Sequence, residues 1–592
     1  MSRSSAAYMG KHSADDAGVR IRDGEKDARW YNWLISLAVN AVILAAVLYF
    51  TDLMYETNDD FAIAEKLAAG YPYVGFVNYY LCRALMAVQA AFPAVNSFTI
   101  SQLAASFVSF TVLFKVMLDR NAYFIELLLG AVVTAFFSLD HYSSMQFTKT
   151  SGLLMTAGLI LVVDTYINNR GHRLRFFIYS IIGYALFFAG VAYRQKGMFP
   201  ALAYAGVFMF LWLILSGREY FRGRRPVPET VLIIVLLAAA VVPYGIDLKS
   251  DAVNAGTAEL ALGREYQAER VKITDYPMIE NYEEHKTQYD EIGLSENDLY
   301  LIDRWIFDYD GAASLENLKK INEINYPGVL ESRSVTRSVK KFLKNSYKAV
   351  KGLDFTGMHI LILAVLALYF ISAVSPRNWF YAVFTGLLTA GIYVAVYYIS
   401  RPQYRAFYVA DIGAAFWILF ALSIIPKRNT KYFRVLTCVA AACVVGMLFT
   451  PALGSLESQR AHIEKQIEPA AITEYFAAHT DNFYIGPTTA MKQPASYLDP
   501  LEVPVPAPNV SGTGGWETMT PYKLDFLANY GISNPVRDLV DTPDTYFFGD
   551  SKKGKLREYL NKWYGGEGKE IIFEKVDEVS GNGVYRVITT EY

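Results

Sequence analysis

Runs of apolar residues, each long enough to cross a bilayer as a helix, recur along most of this chain. A helix needs about 20 such residues to span a ~30 Å hydrocarbon core. The runs fall at 33–50, 97–118, 122–139, 151–168, 176–193, 198–215, 230–247, 357–374, 378–399, 406–425 and 433–450, and they predict eleven transmembrane helices. Residues 73–92 are apolar too, but they carry Asn78, Arg83 and Gln89 and end at Pro93. That mixture predicts a helix lying along the membrane surface rather than across it.

Three stretches break the pattern. Residues 1–30 are polar and of mixed charge, with no apolar run or small-residue cleavage signal. They read as a disordered cytoplasmic tail before an uncleaved anchor. Residues 248–356 are polar and rich in helix formers, and end in a basic amphipathic stretch at 333–351. Residues 451–592 open with a helical segment at 455–479. Short β-like runs at 482–486, 545–549, 571–576 and 583–588 then alternate with Gly/Pro turns, with a helix at 552–563. The expected architecture is an all-α polytopic membrane domain (31–450, with 248–356 as a large loop) followed by an α/β domain at 451–592.

Composition narrows the class. Of 592 residues 53% are hydrophobic and 19% charged, and the formal net charge is −2. No basic field suited to nucleic acid exists. Cys82, Cys438 and Cys443 lie in apolar stretches and form neither a disulfide framework nor a metal set. Loop charge orients the chain. With the N-terminus in the cytoplasm and 73–92 not crossing, the basic clusters at 170–175, 218–225, 377 and 427–434 all fall inside, as do Lys115 and Arg120. The segments 248–356 and 451–592 then lie outside.

The candidate chemistry gathers on that outer side. Asp59 and Asp60 are adjacent soon after the first span. Carboxylates at a membrane surface are costly to desolvate and need a cation, a partner or a task. A neighbouring charge raises a carboxyl pKa, which suits a general base. The plain alternative is that Asn58 or Asp59 caps a helix over 60–69. Two tight outside turns defy the charge rule: Tyr193-Arg194-Gln195-Lys196-Gly197 and Ser400-Arg401-Pro402-Gln403-Tyr404-Arg405. Guanidinium forks and a lysine point charge match phosphate oxygens. Arg194, Lys196, Arg401 and Arg405 are therefore candidate phosphate ligands with Tyr404 beside them, the alternative being headgroup contacts or pairing with loop acids. The polar stretch 140–150 adds Asp140, His141 and Lys149. Lys149 is a further phosphate candidate, and an Asp-His pair alone falls short of a metal-ligand set. The loop Ser511-Gly512-Thr513-Gly514-Gly515-Trp516 reads as a glycan-stacking loop or one anchored by a buried Trp.

A first span, an outside acidic pair, an interfacial helix, a second one of the form Tyr-x-Tyr…Asn-Tyr-Tyr-Leu and a returning span resemble the GT-C superfamily of glycosyltransferases, as in aminoarabinose and protein O-mannosyl transferases. The strings Thr-Asn-Asp-Asp-Phe (57–61), Gln-Phe-Thr-Lys-Thr-Ser-Gly (146–152) and Tyr-Arg-Gln-Lys-Gly (193–197) resemble a group of large bacterial membrane proteins of that class. The likeness covers 33–215, with layout only beyond it. It implies an enzyme of the bacterial cytoplasmic membrane that takes a sugar from a polyprenyl-phosphate or pyrophosphate donor. The acceptor would be a cell-surface glycan, lipid or protein, with Asp59 or Asp60 as base and the outside cations on the phosphate. Some members place a second acid early in the second interfacial helix. Residues 72–80 hold none, which leaves a divalent metal as an open alternative. A flippase for the same lipid-linked saccharides would share the cations without needing the acid pair, and a scaffold for polymer assembly would use 451–592 for docking.

Overall fold

The computed structural model describes residues 30–591, apart from 52, 121–123, 169–172, 216–226, 277–281, 428–429, 465–466, 488–499 and 506–507. The expected tail and the basic loop 218–225 lie outside the described residues, the tail except for Trp30. Among the described residues, nine helices are long and apolar enough to cross a membrane: Trp30–Phe50, Ser97–Arg120, Phe147–Ile167, Leu174–Tyr193, Gln195–Leu215, Phe355–Ala373, Pro376–Tyr398, Tyr404–Ile424 and Tyr432–Phe449. The chain is an integral membrane protein. The other two expected spans, 122–139 and 230–247, coincide with helices Phe124–Ser143 and Val227–Val253. The first carries Glu126, Asp140 and His141, which lower its hydropathy. The segment 73–92 contains a helix of 13 residues, Tyr79–Ala91. At 1.5 Å per residue it is about 20 Å long, short of a bilayer core.

Two spans form the centre of the bundle. Phe147–Ile167 and Tyr404–Ile424 each have 94% of their apolar window buried, against 17% for Trp30–Phe50 at the edge. Close helix approach depends on glycine, as is usual where lipid supplies no hydrophobic drive between helices. A Cβ on Gly183 would sit 2.8 Å from the carbonyl oxygen of Gly158, and one on Gly190 2.8 Å from that of Ser151. Gly183→Ala should therefore push Arg173–Tyr193 off its neighbour and cost about 1–3 kcal/mol. The check is a lowered melting temperature in detergent, where Gly206→Ala, with open space around it, is the control.

The polar segments 248–356 and 451–592 pack together. They share one apolar core: Tyr266, Leu299, Phe307 and Leu318 pack with Phe483, Phe547, Leu556 and Val587. Asp308 ties them together. It accepts from Asn534 Nδ2 (2.7 Å), from the Tyr559 hydroxyl (2.8 Å) and from the Tyr564 hydroxyl. The sheet order is Val510–Gly512, Phe483–Gly486, Thr545–Phe548, Asn582–Glu591, Lys569–Val579. The first three strands are parallel, and the last two antiparallel. Four strands coincide with the β-like runs. Val510–Gly512 does not, because its Ser-Gly content reads as loop and only pairing with Phe483–Gly486 makes it a strand.

Candidate functional site

A two-residue parallel bridge sets the acidic pair in place. Met54–Tyr55 pairs with Ser144–Met145, and Glu56 N–H donates to Met145 O at 2.9 Å. This joins the chain after the first span to the chain before Phe147–Asn168. The next helix runs Asn58–Ala68, so both aspartates lie in its first turn. Its N-cap is Thr57, without a side-chain capping bond. Neither Asn58 nor Asp59 is the cap.

The two carboxylates part company. Asp60 is fully buried. Its Oδ1 accepts from Phe147 N–H (2.8 Å) and Gln102 Nε2 (3.2 Å), and its Oδ2 from the Thr57 hydroxyl (3.3 Å). Burial, reinforced by the Asp59 charge, pushes its carboxyl well above the usual range against the pull of the Phe147 N–H. Asp59 keeps 25% of its side chain exposed and faces Arg405, Nη2 to Oδ2 at 3.5 Å.

The two basic turns approach the same place although far apart in sequence. Arg405 touches Asp59, and Arg194 lies close enough to feel the charges of Arg405, Arg401 and Asp59. Burial, then the like charges of Arg405 and Arg401, bring the Arg194 guanidinium down to about 10, so it stays a cation near neutrality. It lies over the rings of Phe76 and Phe147, both 5.6 Å from the guanidinium carbon. Arg401 donates to Asp275 at 2.7 Å and sits over the Tyr276 ring at 5.2 Å. Arg270 holds the other oxygen of Asp275 at 3.0 Å. Lys196 is exposed and makes no ion pair among the described residues.

Lys149 sits apart from this cluster. It is buried between Glu56 (2.7 Å) and Asp140 (3.0 Å), so its charge is already matched. The Tyr404 hydroxyl donates to the same Asp140 oxygen at 3.0 Å, and its ring stacks on His359. His359 in turn meets Asp411 at 3.2 Å. His141 turns away from Asp140 to Tyr408 and Thr150, at 3.0 and 3.4 Å. Among the described residues no three His, Cys, Asp or Glu side chains gather as a metal-ligand group.

A second polar cluster joins Asn58–Ala68 to the globular body. Lys66 has no exposed side-chain surface, pairs with Glu517 at 3.0 Å and lies 4.0 Å from the Trp516 ring centre. Trp516 also packs on Phe76, ring centres 4.8 Å apart. That contact anchors the glycine-rich loop. Burial, then the Glu517 charge, pushes the Glu65 carboxyl up to about 7, against Lys523, Lys66 and the Tyr522 hydroxyl. The folded value lies above the ordinary 4.5, so the docked state gains from protonation. That contribution is full at acid pH and is lost as pH rises through about 7. Thermal unfolding at pH 5.5 and 8.5 should show the loss, and Glu65→Gln should reduce the difference between the two.

Sequence reading finds the aspartates and the basic turns, but not Asp275 or Glu56. Asp275 lies in a polar helical segment where acids are common, and Glu56 reads as part of the run before Asp59. Neither carries a local signal of its cationic partner.

No family model matches the chain, and no curated protein matches it. Among solved structures it is similar to the crystal structure of ArnT from Cupriavidus metallidurans bound to undecaprenyl phosphate. The match covers 94% of this chain and 98% of that one, at 10% identity and a TM-score of 0.42.

Proposed function

We propose that this chain is an integral-membrane glycosyltransferase of GT-C type, moving a sugar from a polyprenyl-phosphate or pyrophosphate donor to an acceptor on the outer face. The observation that carries this reading is the convergence of three guanidiniums, Arg194, Arg401 and Arg405, from two turns far apart in sequence, with Asp59 beside them. Such a gathering of guanidiniums suits a phosphate, and Asp59 is partly exposed next to Arg405. In the reaction, the acceptor oxygen bonds to the anomeric carbon while the bond from that carbon to the phosphate oxygen breaks. The acceptor proton passes to Asp59, and the electron pair leaves with the phosphate, whose charge the arginines offset. Lys196, exposed in the first turn, adds a further cation on the same turn as Arg194. Asp60 anchors the helix start, and Lys149 and Tyr404 are held together by Asp140. The basic-loop bias supports an orientation with this face and the globular body outside the cytoplasmic membrane. The acceptor is a surface glycan, glycolipid or protein.

The test is binding of polyprenyl phosphate to the purified chain, read by native mass spectrometry. Wild type should retain the lipid, and Arg401→Ala/Arg405→Ala together should lose it. Equal retention by both would remove the phosphate site from this cluster.

A further inference from the structure

The helix Val335–Gly352 has three faces with three different surroundings. One packs on the membrane bundle: Ser338 and Ala349 are buried, and the Phe342 ring lies 5.6 Å from that of Tyr393. Next to it, Val335, Val339, Leu343 and Tyr347 recur every fourth residue, which puts them in one row on a helix. All four are exposed, Leu343 by 59% and Tyr347 by 69%. The remaining arc holds Lys340, Lys341, Lys344, Lys348 and Lys351, all exposed. None of the five forms an ion pair among the described residues.

An apolar row flanked by unpaired lysines is unfavourable in open water. It is stable where the row meets acyl chains and the lysines reach up to headgroups. The position of the helix fits that setting. It ends at Gly352, and Asp354 then caps the next helix, the Phe355–Ala373 span, with Gly357 N–H donating to its Oδ1 at 2.8 Å. Only a few residues separate the last lysine from a transmembrane helix, so the lysine arc stands at headgroup level.

We infer that Val335–Gly352 is a lipid-docking helix: its Val335–Tyr347 row enters the leaflet, and its five lysines bind the phosphates of anionic phospholipids. The occupant is bilayer lipid rather than the reacting donor. The lysine arc is separate from Asp59 and the three arginines, and the inference does not depend on the reaction assigned to them.

Two measurements on the full chain test it. First, nitroxide labels at Leu343→Cys and Lys344→Cys, with Cys82, Cys438 and Cys443 replaced by alanine, are compared in phosphatidylcholine/phosphatidylglycerol nanodiscs. The label at 343 should relax mainly with oxygen, and the label at 344 with a water-soluble nickel chelate. Equal exposure of both to the chelate would place the helix in water and overturn the inference. Second, spin-labelled phosphatidylglycerol should be held over phosphatidylcholine by the native chain. That preference should fall severalfold when the five lysines become glutamine, a change confined to exposed side chains that leaves folding intact. The same preference in both chains would overturn the phospholipid assignment. An arc that instead binds a soluble anionic polymer would give that result.

Discussion

Replacing Asp59 by asparagine should lower the rate of sugar transfer by roughly 10²-fold or more, the usual scale for losing a general base. Donor affinity should hold or improve, because the change frees Arg405 from its carboxylate partner at 3.5 Å. Asp60 should behave in the opposite way. Asp60→Asn keeps an oxygen for Phe147 N–H and Gln102, and burial already favours the uncharged form of that carboxyl, so both rate and stability should stay near wild type. Asp60→Ala strands those two buried donors and should cost about 1–3 kcal/mol for each one left unpaired. The readouts are transfer rate, donor binding and melting temperature on the same preparations. Normal transfer by Asp59→Asn would end the assignment of Asp59 as the general base.

The second large effect is expected from the arginines. Loss of one charged hydrogen bond is worth about 1.5–3 kcal/mol, so Arg405→Ala or Arg401→Ala should each weaken donor binding roughly 10- to 100-fold. Arg405→Lys should recover only part of that, since lysine lacks the fork. Asp275→Asn should move binding the other way, because Asp275 now occupies Arg401 at 2.7 Å. Equilibrium binding of polyprenyl phosphate reads all four. A weaker-binding Asp275→Asn would mean that Asp275 positions Arg401 rather than competing for it.

The parts of this molecule that are legible in its sequence are those with a local physical signature. Apolar runs of bilayer length become helices because an unpaired backbone amide cannot survive in hydrocarbon. The turns at Arg194 and Arg401 stand out because cations oppose the loop-charge pattern. What stays hidden is pairing across distance. Asp59 and Asp60 are equivalent as letters. The Met54–Tyr55 bridge to Ser144–Met145 buries one against Phe147 and leaves the other facing Arg405. Lys149 looks like a free cation until the fold brings Glu56 and Asp140 against it. The strand Val510–Gly512 exists only because Phe483–Gly486 lies beside it.

The shared core of the globular body sets an order of events during synthesis. The half that contains Tyr266, Phe307 and Leu318 is made before the spans from Phe355 to Phe449, and its partners Phe483, Phe547 and Val587 come after them. At about 5–20 residues per second, the first half waits on the order of ten seconds or more with its apolar face uncovered. Four spans must insert correctly before the two halves meet. Completion of the body is thus a built-in report that the membrane part has been threaded in full. A chain stalled or misinserted in those spans would present an open apolar face to quality-control proteases.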